Sequence, residues 1–148
     1  MKLRHSTIAF FIFGALAAGS SVGLAAFAVH GLGQIMKYPA EAVRTFHDAT
    51  AFQADQGIAV LIVAVVCQLM ADGWPRRVMQ LSGILLCASV LLFSGSVYAI
   101  TFDKFGGLAP VGGFSAMIGW LLFALGAGLG LTKGDVRLPM AAQPHPAE

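Results

Sequence analysis

Residues 7–29 read TIAFFIFGALAAGSSVGLAAFAV, an unbroken run without a single charge. Wound as a helix at about 1.5 Å per residue, such a run reaches across the roughly 30 Å of a bilayer's hydrocarbon core, which needs about 20 residues. Three further stretches are also long and apolar: residues 50–70, TAFQADQGIAVLIVAVVCQLM, interrupted only by Gln53, Asp55, Gln56 and Gln68; residues 78–102, VMQLSGILLCASVLLFSGSVYAITF; and residues 111–131, VGGFSAMIGWLLFALGAGLGL. Only helices satisfy their own backbone groups in lipid without closing into a barrel. Short connections then make neighbouring helices antiparallel. The expected fold is all-α, an integral membrane four-helix bundle over residues 1–132, with the proline- and alanine-rich residues 133–148 a disordered tail.

Composition agrees with this reading. The chain has 148 residues, 57% hydrophobic and 11% charged, with a mean hydropathy of +0.80. A soluble domain needs more polar surface than that. The net charge of +2 and the scatter of the basic residues exclude a nucleic-acid-binding stripe. Cys67 and Cys87 sit within apolar runs and read as small core residues rather than a disulfide. Lys2 and Arg4 ahead of the first run, with Ala26-Phe27-Ala28 at its end, imitate a secretory signal, but the run exceeds the usual 7 to 15 residues of such a signal. The first run is therefore expected to remain as a spanning helix.

Basic residues near the helix ends set the orientation. Lys2, Arg4, Arg76, Arg77, Lys133 and Arg137 fall on one side, and Lys37, Arg44 and Lys104 on the other, so both termini and the tail are expected in the cytoplasm.

The connection 31–51 is the long one. Pro39, with Glu41 after it, has the form of a helix start. At about 100° per residue, Arg44, His47, Asp48 and Asp55 share one arc, while Ala42, Val43, Phe46 and Ala49 face away from it. The expectation is a short amphipathic interfacial segment leading into the second span.

Residues 46–66, FHDATAFQADQGIAVLIVAVV, carry Asp55 and Gln56 into that span. A carboxylate inside a membrane either reaches back to headgroup water or faces a polar partner. With the proposed topology, His30, Asp55, Gln56, Ser94, Ser96 and Tyr98 all lie in the outer half of the bundle, together with Gln53 and Ser115. They form the candidate polar cluster, with His30 and the hydroxyls of Ser94, Ser96 and Tyr98 as expected partners of Asp55. Gly19, Gly23, Gly95, Gly112, Gly113, Gly126 and Gly130 are the candidate helix-packing positions, where a missing side chain lets backbones approach within or between chains.

Three motifs carry a family resemblance. GLAAFAVHGL at 23–32, LLFSGSVYAI at 91–100 and LAPVGGFSAMIGWLLFALGA at 108–127 resemble the YgdD-like family of small four-helix bacterial inner-membrane proteins, grouped as a domain of unknown function. The resemblance covers roughly residues 12–131. It implies a bacterial inner (plasma) membrane location, a four-helix fold and no established activity. The family's pattern places a histidine early in the second helix, and aligning that phrase with FQADQ at 52–56 puts Gln56 in its place. Glutamine does not titrate near neutral pH, so the resemblance brings no proton-relay or metal role to that position unless Asp55 substitutes.

His30, His47, Asp48 and Asp55 are chemically adequate ligands but lack the tight spacing of a metal motif, so no metal is assigned. No serine or cysteine has a clear base beside it in sequence, so no catalytic residue is assigned, and no cofactor is implied. Three function classes stay open. The leading one is a structural or accessory bundle that self-associates or joins a larger membrane complex through the outer polar cluster. The alternative is a small transporter or channel-like protein using Asp55. An enzyme acting on lipid or quinone has the least support. Beyond the lipid bilayer, the partners expected are a second copy or a larger complex.

Overall fold

The structure is a computed structural model that describes residues 5–132. It consists of four long helices and, among the described residues, contains no strand. Helix α1 runs His5–Ile35, α2 Ala40–Leu69, α3 Trp74–Thr101 and α4 Ala109–Thr132, and each is long and apolar enough to span a membrane. The expected tail at 133–148, and the basic residues Lys2, Arg4, Lys133 and Arg137, lie outside the described residues.

The expectation for 31–51 requires correction. α1 does not stop at residue 29 but continues to Ile35 through a wider π-helical stretch, Phe27–Ile35. The chain then turns over residues 36–39, and α2 begins at Ala40. The amphipathic segment is the first three turns of α2 rather than a separate helix lying on the interface. Tertiary burial explains the difference: Ala28, Leu32 and Phe46 are almost inaccessible and form one apolar cluster, against which Val43, Tyr38 and Tyr98 pack. Burying Leu32 and Phe46 rewards a helix that continues past Gly31 and Gly33, although glycine weakens the local preference. The faces of α2 are as periodicity places them, with Phe46 and Ala49 buried and Arg44, His47, Asp48 and Asp55 exposed.

Two tight caps allow these short turns. At the end of α1, Lys37 adopts a left-handed backbone (φ 57°), and the Tyr38 N–H donates to Leu32 O at 2.9 Å. At the end of α3, Asp103 is left-handed (φ 54°), with its N–H on Ile100 O at 3.0 Å and that of Lys104 on Ala99 O at 2.9 Å. This is the paired-bond cap usually built with glycine, here closed by an aspartate, one of the few other residues that tolerate the conformation.

α1 packs chiefly on α2 and α4 chiefly on α3, with α2 against α3 joining the pairs. Glycines set both seams. A Cβ on Gly14 would lie 2.8 Å from Gly57 O, and one on Gly57 would lie 2.8 Å from Ala18 N. On α4, Gly112, Gly119 and Gly126 meet Phe93, Leu86 and Met79 of α3, so a seven-residue step on one helix answers the same step on its antiparallel neighbour. Four of the expected packing glycines are not at these seams: Gly19, Gly23, Gly95 and Gly113 have nothing within 4 Å of an added Cβ. Gly112 and Gly126 are at the seam, and Gly130 is buried. Gly14, Gly57, Gly83 and Gly119 are close-approach positions that spacing alone did not mark.

Candidate functional site

The half of the bundle nearer the α1–α2 and α3–α4 turns is tied by side-chain hydrogen bonds centred on Gln53. Its amide Nε2 donates to Ala17 O and to Ser20 Oγ, both at 2.9 Å, and its Oε1 accepts from the Tyr98 hydroxyl at 3.0 Å. One buried side chain thus links α1, α2 and α3. Ser94 Oγ donates to Ala49 O at 3.0 Å, a second α3–α2 tie, and Trp120 Nε1 donates to Gln56 Oε1 at 3.1 Å, joining α4 to α2. Lower down, Ser115 Oγ donates to Leu85 O and Ser82 Oγ to Gly119 O, each at 2.8 Å. In hydrocarbon these groups find few other partners, so bonds of this kind hold helices at fixed rotations.

The structure brings together only part of the expected cluster. Tyr98 joins through Gln53, while Gln56 and Ser94 are buried in separate bonds a turn away. Ser96 is buried on α3, and among the described residues no bond draws it into the network. His30 is exposed, with its Nδ1 3.1 Å from Gln34 Oε1 on the same helix. Asp55 is also exposed and is not brought to His30, Ser94, Ser96 or Tyr98. Helical phase explains this, because Asp55 lies about 200° around α2 from Gln53 and so points away from the groove that Gln53 enters. The same arithmetic puts Gln53 with Phe46, Ala49 and Gln56 on the buried face, which was the available signal for it. Trp120 had no such signal, since it is one of several aromatics on an apolar helix.

Depth can be read from level neighbours. Phe52 of α2 packs on Phe93 of α3 (ring centroids 4.4 Å apart), and Gly112 of α4 meets the same Phe93. Gly112 is three residues inside the start of α4, and Asp55 three residues beyond Phe52, so Asp55 lies about 9 Å along the bundle from the first residue of α4. It faces outward at a depth where lipid tails are expected.

Among the described residues no three His, Cys, Asp or Glu side chains come together as a metal site. Between the first turns of α2 and the last turns of α3, a cleft of about 500 Å³ opens beside Tyr38, with Glu41 and Asp103 on its walls. The two cysteines are free.

Fold and network together define an integral membrane four-helix bundle in which several interior polar side chains tie one helix to the next. Comparison with known proteins places it more closely. The family described as "Protein of unknown function (DUF423)" matches residues 24–113, and the chain belongs to that family. It is 34% identical over 130 residues to a UPF0382 membrane protein of Haemophilus influenzae, covering 86% of this chain and 95% of that one. It is 32% identical over 120 residues to a UPF0382 membrane protein of Staphylococcus aureus, covering 78% and 92%. It is 31% identical over 119 residues to the UPF0382 inner membrane protein YgdD of Escherichia coli, covering 78% and 86%. No solved structure matches the chain.

Proposed function

We propose that this protein is an accessory bundle of the bacterial inner membrane, with both termini in the cytoplasm, that docks another membrane helix on the outer face of α2. The observation that carries this reading is Asp55. Its carboxylate stands about 9 Å along the bundle from the start of α4, on an exposed face, without a bond to any described residue. Exposure to lipid at that depth costs several kcal/mol, so the cheaper arrangement supplies a donor from a neighbouring chain. Arg44, Asp48, Ala51, Asp55, Ile58, Ile62 and Val65 form a continuous exposed stripe at alternating steps of four and three, the spacing a partner helix packs against. The inner-membrane assignment draws support from the printed name of the Escherichia coli relative. Transport through the bundle gains no support from Asp55, which faces away from the interior.

Two experiments test this reading. Asp55→Leu should leave the melting temperature of the isolated chain in detergent unchanged, because no intramolecular bond is lost. It should also reduce cross-linking from Ile58→Cys to a second chain at least tenfold, with Asp55→Asn intermediate. Equal cross-linking in wild type and Asp55→Leu would overturn the docking surface. For orientation, cysteines at Lys37 and at Trp74, on a background with Cys67 and Cys87 changed to alanine, should label from the periplasmic and cytoplasmic sides respectively. The reverse pattern would overturn the topology and leave the docking result intact.

A further inference from the structure

The exposed stripe on α2 consists of two interleaved rows, each repeating every seven residues. Asp48, Asp55 and Ile62 form one row, and Ala51, Ile58 and Val65 the other, the arrangement of a seam along which two helices interlock their side chains. Toward the α2–α3 turn the seam is apolar, with Ile58, Ile62 and Val65 each close to half exposed. Asp55 interrupts it. The positions one helical turn to either side, Ala51, Phe52, Ile58 and Ala59, are all apolar, so no neighbour on its own helix serves the carboxylate. Asp48 differs, because Arg44 stands one turn away from it.

Depth decides which chain can supply the missing cation. The cations among the described residues gather at the two ends of the bundle. His5, Arg76 and Arg77 belong to the end with the α2–α3 turn. The others lie toward the opposite turns. On α2 itself the nearest are His47 and Arg44, eight and eleven residues from Asp55, or about 12 and 16 Å along the axis. On α1, His30 lies ten residues beyond Ser20, whose hydroxyl Gln53 reaches. Copies of one chain inserted the same way round are related by rotation about an axis normal to the membrane, so every group of one copy sits at the depth of its counterpart in the next. A second copy therefore brings no cation of the described residues to the level of Asp55. Paired in parallel along the stripe, it sets Asp55 against Asp55, a like-charge contact that opposes association.

We infer that the occupant of this face is a helix of a different membrane protein, apolar over its span except for a lysine or arginine opposite Asp55. The inference rests on the docking surface proposed above and names the chemistry of its partner. The small side chain of Ala51 leaves room beside Asp55 for the stem of a long cationic side chain, while Ile58, Ile62 and Val65 meet apolar residues of the partner. A charge at one position of an otherwise apolar seam fixes both register and choice of partner.

The test uses the full chain carrying Cys67→Ala, Cys87→Ala and Ile58→Cys, in phosphatidylcholine vesicles. The probes are two spanning peptides of about 20 leucine and alanine residues, identical except for lysine or leucine about six residues inside the span, the depth of Asp55. Each has one cysteine a turn farther in, to meet position 58. Oxidative cross-linking to the chain should be about tenfold greater for the lysine peptide than for the leucine peptide. Asp55→Leu should abolish that preference and Asp55→Asn should reduce it, with the leucine peptide unchanged in both. The chain alone should form no covalent dimer through position 58. Equal cross-linking of the two peptides, or a covalent dimer formed as readily as the lysine-peptide adduct, would overturn the cationic partner and leave the docking surface standing. Failure of both peptides to cross-link, with no dimer, would overturn the docking surface as well.

Discussion

Leucine in place of Gly112 is expected to unseat α4 from α3 and to lower the stability of the bundle by about 3 kcal/mol, at the upper end of the usual range for overpacking. An added Cβ would run into the backbone of Phe93, with the Cα of that residue only 2.8 Å away. Backbone cannot rotate aside as a side chain can, so the helices must separate. Separation also strains the ties lower on the seam, from Ser115 Oγ to Leu85 O and from Ser82 Oγ to Gly119 O. Because the clash begins at Cβ, alanine should cost most of what leucine does. Gly113→Leu, one position along, meets nothing within 4 Å and should leave the isolated chain unaffected. Thermal unfolding of the three variants in detergent decides the matter. Equal melting temperatures for Gly112→Leu and Gly113→Leu would show that the seam does not have this geometry. The same contrast applies on α1, where Gly14→Leu should destabilise the chain and Gly19→Leu and Gly23→Leu should not; any effect of the latter two would appear in association between chains.

The second large effect is expected from Gln53→Leu. The substitution removes three hydrogen bonds at once and leaves the Tyr98 hydroxyl, Ala17 O and Ser20 Oγ to find other partners. Interhelical bonds in membrane proteins average about 0.6 kcal/mol each, so the summed loss is about 2 kcal/mol. Tyr98→Phe removes only one of the three and should cost less than 1 kcal/mol. In the double variant the two losses should sum to more than is measured, because the Tyr98 bond is already absent once Gln53 is gone. Unfolding curves of the two single variants and the double variant provide the cycle. Strict additivity would mean that the Tyr98–Gln53 bond contributes nothing.

The fate of the candidate site shows which inferences a single helix supports. Phase along α2 separates the charged arc at Arg44, His47, Asp48 and Asp55 from Phe46, Ala49, Gln53 and Gln56 without reference to another helix, because the angle between positions is a property of the helix alone. Grouping Asp55 with Ser94 and Tyr98 required something else, namely the rotation of α2 relative to α3. Shared depth is not contact, and two residues at one level can face opposite ways.

Four spans were legible from the residues alone, since crossing a membrane depends mainly on the length and apolarity of each segment. Helix ends were less so: residues 30–34, with a histidine, two glycines and a glutamine, look like a terminus until Leu32 is seen buried against Phe46. The glycines divide in the same way. Gly14, Gly57 and Gly119 are indistinguishable in sequence from Gly19, Gly23 and Gly95, and only the pairing of helices decides which of them stand against a neighbouring helix. Composition, span and face belong to one segment at a time and are written in it. Register, rotation and close approach are relations between segments, and they exist only once the helices have packed.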